Sequence, residues 1–254
     1  DYFKLWEPQY LQTSNPRRFI IQRELYEQVR GTDDVAVHVE LLDPAVAAAS
    51  SPNPLVWVTV AASAVLPKLL LTKIAALMAA RGLSIERAHL DVVTDPHNST
   101  GSWPGSVSMV RVLVTPEEAK AIKGARTLES PLNPDSDGWR EAKEDLRRLK
   151  WLDDAVTTLG LERRPELGLR RAEILTALCN LLHCPLHRVN AYAFSRGQMR
   201  DILADERYLR YAKDIADLFA ERFDPSGPPL GDGEEYHGRA AALRERLGRL
   251  AHEP

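Results

Sequence analysis

The residues from Leu55 to Pro116 carry the pattern that most restricts how this chain can fold. In PLVWVTVAA, Val56, Val58 and Val60 fall at every second position, the period of a strand. VLPKLLLTKIAALMAARG then reads as a helix that holds Pro67 in its first turn and stops at Gly82. LSIERAHLDVV alternates again, with Ala88, Leu90 and Val92 on one side and Arg87, His89 and Asp91 on the other. After a turn-rich loop, TDPHNSTGSWPGS, comes the strand VSMVRVLV. PEEAKAIKG then predicts a short helix with Thr115 as N-cap and Pro116 at its first position.

A further strand precedes this block. In DDVAVHVELL, Val35, Val37, Val39 and Leu41 alternate with Ala36, His38 and Glu40. Before it lies a helical pattern with Phe19, Ile20, Leu25, Tyr26 and Val29 near one face and Gly31 as its stop. The order strand, helix, strand, strand, helix predicts an α+β fold, a ferredoxin-like (ACT-type) βαββαβ sandwich over residues 35–125. The helix from Leu66 covers one sheet face, and Arg87, His89 and Asp91 look out of the other.

Past Ala125 the text changes character. Residues 1–34 form a lead-in and helix, 126–138 a linker, 139–225 an all-helical region, and 226–254 a second linker and a last helix. Within the helical region, Ile174, Leu175, Leu178, Leu181 and Leu182 make one broad stripe, and Ser195 is placed to cap SRGQMRDILAD. Leu209, Ile215, Leu218 and Phe219 line the next helix; SGPPLGDGEEYHG reads as loop before RAAALRERLGRL.

Composition narrows the classes of function. A net charge of -3 argues against a polyanion-binding chain, and RNA recognition lacks aromatics on the central strands beyond Trp57. The longest apolar run, Ala61 to Leu71, is interrupted by Ser63, Pro67 and Lys68 and is too short to span a bilayer. Two cysteines and the opening DYFKLWEPQY, which is unlike a signal peptide, point to a reducing, cytoplasmic setting. The chain begins with Asp1, as a segment cut from a longer protein would.

Chemistry-bearing residues are sparse. No GxGxxG follows a strand, no GxxxxGK[ST] or GxSxG occurs, and GPPLGDG sits between helices as a linker. CNLLHCPLH (179–187) gathers both cysteines and two histidines. Cys179 and His183 share a helical face, Cys184 points about 100° away from His183, and Pro185 is expected to end the helix with His187 beyond it. Four-ligand convergence is therefore not expected: Cys179 reads as a small buried apolar residue beside Leu175 and Leu182, with no metal bound. Arg163, Arg164, Arg170, Arg171, Arg188, Arg196, Arg200, Arg207 and Arg210 interleave with acids as a solvated, ion-paired face. Trp57, Thr59, His38 and His89 share the open sheet face, as a packing surface.

LRRAEILTALCNLLHCPLHRVNAYAFSRGQMRDILADERYLRYAKDIADLFAERFDP (169–225) resembles the helical segment of the large bacterial NAD-dependent glutamate dehydrogenases. The marks are the helix start at Arg171 to Ile174, AYAFSRGQM at 191–199 and LFAERFDP at 218–225, and the likeness extends over roughly residues 35–250. In that family such a segment follows ACT-type regulatory domains and precedes a catalytic domain that oxidises L-glutamate to 2-oxoglutarate and ammonia with NAD. The resemblance implies a noncatalytic regulatory or assembly region whose partner is the catalytic domain of the same chain, in a homo-oligomer, with NAD serving only the parent enzyme. No catalytic or cofactor-binding residue of the family has a counterpart here. An amino-acid effector would sit at the first strand-to-helix loop, AASAVLPKL, at Ser63 and Leu66. That loop has Pro67 but no glycine, which favours domain packing over effector binding. The alternative is a standalone amino-acid-sensing or protein-binding module of the same fold.

Overall fold

The computed structural model describes residues 2–6, 15–42, 55–94, 106–116, 127–223 and 234–250. It divides into two units, Asp1–Leu152 and Asp153–Pro254.

The first unit is built on a four-stranded sheet: β1 (Val35–Leu41), β2 (Val56–Ser63), β3 (Leu83–Thr94) and β4 (Ser106–Pro116). The order is β1-β2-β4-β3 and every neighbouring pair is antiparallel. Helix α1 (Pro16–Val29) precedes β1, and α2 (Pro67–Ala80) joins β2 to β3. Because β4 inserts between β2 and β3, the segment β2-α2-β3 is a split βαβ unit. The fold class is thus α+β, and strand phases match the alternation in the sequence.

Register explains which residues meet. Ala36, Ala61, Met109 and Asp91 form one cross-sheet row, and His38, Thr59, Arg111 and His89 the next. The opposite face carries Val56, Val58, Val60, Val110, Val112 and Val114, all essentially fully buried. Helix α2 packs on β3 and β4 through Leu70, Ile74, Leu77 and Met78, and Gly82, at φ +71°, ends it in the left-handed conformation that suits glycine.

Four expectations change here. Helix α1 covers part of the face expected to be open: Phe19, Leu25, Tyr26 and Val29 join Ala36, Ala61, Val107 and Met109 in one apolar cluster. Ile21 and Gln22 of α1 are buried as well, while Ile20 is 55% exposed, because the helix presses its 22–25–26–29 stripe to the sheet. Ala88, Leu90 and Val92 alternate as expected but stay exposed on β3, which is an edge strand. Thr115 and Pro116 end β4 instead of starting a helix. The helix expected over 117–124 lies outside the described residues, as do the loops at 43–54 and 95–105 and the GPPLGDG segment.

The stretch expected to be a linker is partly core. Leu128 is buried and its N–H donates to the Arg81 carbonyl (3.1 Å). Helix α3 (Asp137–Arg148), capped by Ser136, lies against β1 and belongs to the sheet unit, so the division falls after Leu152 and not at 126–138. Its Trp139, Ala142 and Leu146 are fully buried, and Trp139 Nε1 donates to the Pro131 carbonyl (2.8 Å). Arg81, itself buried, reaches from the end of α2 to Glu141 (3.3 Å) and Asp145 (2.6 Å). Beyond α3, Lys150 pairs with the Asp33 carboxylate, Trp151 Nε1 donates to it (3.0 Å), and Lys73 Nζ donates to the Leu152 carbonyl (2.6 Å). The charged run from Trp139 to Gly160 therefore breaks into two pieces at this clasp.

The second unit is helical: α4 (Asp154–Thr157) running into a π-helical turn (Thr158–Arg163), α5 (Gly168–Val189), α6 (Arg196–Leu203), α7 (Leu209–Phe223) and α8 (Glu234–Leu250). Gly160 lets that turn approach α5: a Cβ there would lie 2.8 Å from the Ala172 Cβ. Arg171 holds Asp217 with two contacts (2.7 and 3.0 Å), tying α5 to α7, and Arg246 reaches Asp214 (2.6 Å), tying α8 to α7. Leu218 is buried and Phe219 is 37% exposed on α7. Helix α8 begins at Glu234, so EEYHG is helical and not loop, with its two acids in the favourable first turn.

Helix α5 departs most from expectation. Pro185 lies inside it, and the helix continues to Val189, closed by the Asn190 N–H on the Leu186 carbonyl (3.1 Å). Proline forfeits one hydrogen bond and crowds the carbonyl four residues back, a cost an exposed last turn can absorb with water on the freed Leu181 carbonyl. Only Leu169, Ala172, Leu175 and Thr176 of this helix are buried. Leu181 is 71% and Leu182 48% exposed, so the leucine stripe is half used. Cys179 is only half-buried, and Cys184 is exposed.

Candidate functional site

Polar side chains concentrate on the α1 face of the sheet, around Arg111. This arginine sits in the middle of β4, between Thr59 on β2 and His89 on β3. Its Nη2 donates to Glu40 Oε1 (3.0 Å), and its guanidinium carbon lies 4.0 Å from the centre of the Trp57 ring. Arg17 of α1 takes the other oxygen of Glu40 (3.1 Å). Burial lowers the Arg111 pKa against the pull of Glu40, yet a guanidinium stays charged in proteins. A charge this enclosed needs its carboxylate and its aromatic wall together.

The next row belongs to Asp91. Arg18 pairs with its carboxylate and Gln22 Nε2 donates to Asp91 Oδ2 (2.9 Å), so α1 is clamped to β3. His89 packs on Trp57, with ring centroids 5.7 Å apart. Burial, reinforced by Arg18, holds the His89 pKa below the ordinary imidazole value, and burial does the same for His38. Thr59 Oγ1 and Gln22 Oε1 are both buried without a hydrogen-bond partner. The expected set of Trp57, Thr59, His38 and His89 does share this face. Sequence reasoning missed Arg111, Glu40 and the contribution of α1. The available signal was a lone arginine in the apolar run VSMVRVLV.

Chemically this array is a neutralising lattice. Burial favours the uncharged form of both imidazoles, and no nucleophile hydrogen-bonded to a base is found among the described residues. It positions α1 on the sheet and encloses Trp57.

The loop proposed for an effector is strapped from both sides. Ser63 is buried and its Oγ donates to the Thr32 carbonyl (2.5 Å); Ser108 Oγ donates to the Val65 carbonyl (2.5 Å). Ala64 takes φ +53°, the left-handed conformation that a glycine would adopt more easily. Leu66 precedes α2 and is 67% exposed, without a side-chain cap bond. The structure brings Ser63 and Leu66 to one loop, with the serine hydroxyl already committed to the fold.

In the helical unit, the dense arginines find acids. Arg163 pairs with Asp201 (2.8 Å), Arg164 with Glu166 (3.6 Å), Arg171 with Asp217 and Arg207 with Asp205 (2.6 Å). Hydrogen bonds from the Arg207 side chain and backbone hold the Asp205 carboxyl down to about 2. A shallow groove of about 380 Å³ lies between α6 and the turn at 206–208, lined by Gln198, Asp201, Ile202, Asp205, Arg207 and Tyr208. Ser195 caps α6 as expected, accepting from the Gln198 N–H (3.3 Å). No cluster of three or more metal-ligating side chains exists among the described residues, and no described helix is long and apolar enough to cross a membrane. No protein-family model matches the chain, and no curated protein matches it either.

Proposed function

We propose that this chain is a noncatalytic regulatory and assembly region of an NAD-dependent glutamate dehydrogenase, with an ACT-type sandwich followed by a helical region. One observation carries the reading: the block 169–225, whose residues resemble the helical segment of that family, exposes large apolar side chains. Leu181, Leu182, Val189 and Tyr192 lie at 48–90% exposure around the end of α5, and Phe223 at 63% ends α7. Apolar side chains this exposed on ordered helices fit a surface that packs against more protein. In this reading the further protein is the catalytic domain of the same chain, in a homo-oligomer, and NAD and glutamate bind there. The split βαβ order of the sheet supports the ACT-type part of the reading. Helix α1, on the face opposite α2, is its main departure.

The test has two arms. The chain expressed alone is expected to oxidise no glutamate with NAD and to bind no NAD by calorimetry; measurable activity would sink the noncatalytic role. The coding sequence beyond residue 254 is expected to continue in frame into a strand, a GxGxxG turn and a helix; a stop codon without such a domain rejects the assembly role. The second reading, a standalone amino-acid sensor, is favoured by the unpartnered Thr59 hydroxyl and Gln22 carbonyl oxygen beneath α1. A thermal-shift screen over amino acids separates the two, since a ligand that binds the folded state alone raises Tm.

A further inference from the structure

Continuation of α5 through Pro185 changes what CNLLHCPLH can do. His183 and His187 now stand one helical turn apart on the same face, with ring centroids 5.0 Å apart and planes 24° from parallel. Two imidazoles four residues apart on a helix can direct a nitrogen each at one ion. His183 is half-buried and His187 exposed, on the part of α5 that contributes nothing to the core. Neither imidazole has a hydrogen-bond partner among the described residues, so their ring nitrogens are not committed to the fold.

We propose that His183 and His187 form a two-imidazole site for a divalent late first-row transition metal such as Zn²⁺ or Ni²⁺. The donor type sets the metal class, because imidazole nitrogen suits these ions and hard Mg²⁺ or Ca²⁺ prefers oxygen. A metal ligand must be a neutral imidazole. The protein supplies two ligands and water the rest, since no third metal-ligating side chain converges among the described residues. Cys179 is one turn earlier, and its burial raises the thiol pKa, which disfavours the thiolate a metal requires. Cys184 is rotated about 60° from His187 around the helix axis.

The test is calorimetric titration of the 254-residue chain with ZnCl₂ and NiCl₂, with MgCl₂ as the hard-cation control. One Zn²⁺ or Ni²⁺ per chain is expected. H183N and H187N should each weaken binding about tenfold or more, a loss of about 1.4 kcal/mol or more. C179S and C184S should titrate like the parent. Paramagnetic Ni²⁺ offers a readout on the unaltered protein: the ring resonances of two of its seven histidines should broaden first. Zn²⁺ binding no tighter than Mg²⁺, or affinity retained in the H183N/H187N double variant, overturns the proposal. So does binding that is lost in C184S alone.

Discussion

The two units use the same kind of apolar pattern to different depths. In the sheet unit, Val56, Val58, Val60, Val110, Val112 and Val114 are all buried, and the helix added at the end brings Trp139, Ala142 and Leu146 to zero exposure. In the helical unit, α5 carries an equally regular stripe, yet burial stops at Thr176 and the helix runs three further turns with leucines in solvent. Periodicity says which face of an element is apolar. Whether that face is covered depends on what else the chain brings to it.

Paired substitutions break or sharpen this contrast. Trp139→Ala removes a fully buried indole and its hydrogen bond to the Pro131 carbonyl, and should cost about 3–5 kcal/mol. All five tryptophans lie in the sheet unit, so the fluorescence of the remaining four in a urea titration reports its unfolding. Leu182→Ala, at a position half in solvent, should change stability by no more than about 0.5 kcal/mol when followed by circular dichroism. A loss above about 1.5 kcal/mol for Leu182→Ala would mean that α5 is covered in solution and the contrast is void.

A step down in size is the clasp between α2 and α3. Asp145→Ala leaves the buried Arg81 with only the more exposed Glu141, and should cost about 2–3 kcal/mol by the same fluorescence titration. An unchanged midpoint would show that α3 is not held to the sheet unit by this charge. Pro185→Ala works in the opposite direction. It restores a backbone N–H for the Leu181 carbonyl and should stabilise α5 by about 1–2 kcal/mol, less than the full interior penalty because the site is near the helix end. No gain in helicity would show that the C-terminal half of α5 is not helical in solution.

Legibility in the sequence follows the same division. Strand phases, the Pro67 start and Gly82 stop of α2, and the Ser195 cap were readable because each is fixed by residues within a few positions. Ile20 departs from the pattern because four residues of α1 make a stripe only once a sheet selects it. Pro185 does not end α5 because local sterics give a preference of only about a few kcal/mol, which an exposed helix end can meet. Half of the Arg111 site was legible: alternation put Trp57, Thr59, His38 and His89 on one face. The rest was not, since the meeting of Arg111 with Glu40 crosses three strands and depends on register that no single segment contains.

The smallest effect expected is a pH dependence confined to the sheet unit. His38 and His89 both have folded-state pKa values lowered by burial, while in the unfolded chain they return to the ordinary value of about 6.5. Below that value the unfolded state binds more protons than the folded one, so stability rises with pH there. The contribution is complete above about pH 6.5 and is lost as pH falls through the folded-state values. Around His89 stand Arg18 from α1, Arg87 and Asp91 from its own strand and Arg111 from β4; around His38 stand Glu40 from its own strand, Glu24 and Arg17 from α1 and Lys143 from α3. A H38Q/H89Q variant should therefore show a shallower fall in its urea midpoint between pH 7.5 and 5.5 than the parent, read by tryptophan fluorescence. Parallel slopes would place the acid sensitivity of the sheet unit on its carboxylates, and the buried row would then be an electrostatic brace without a proton-linked role.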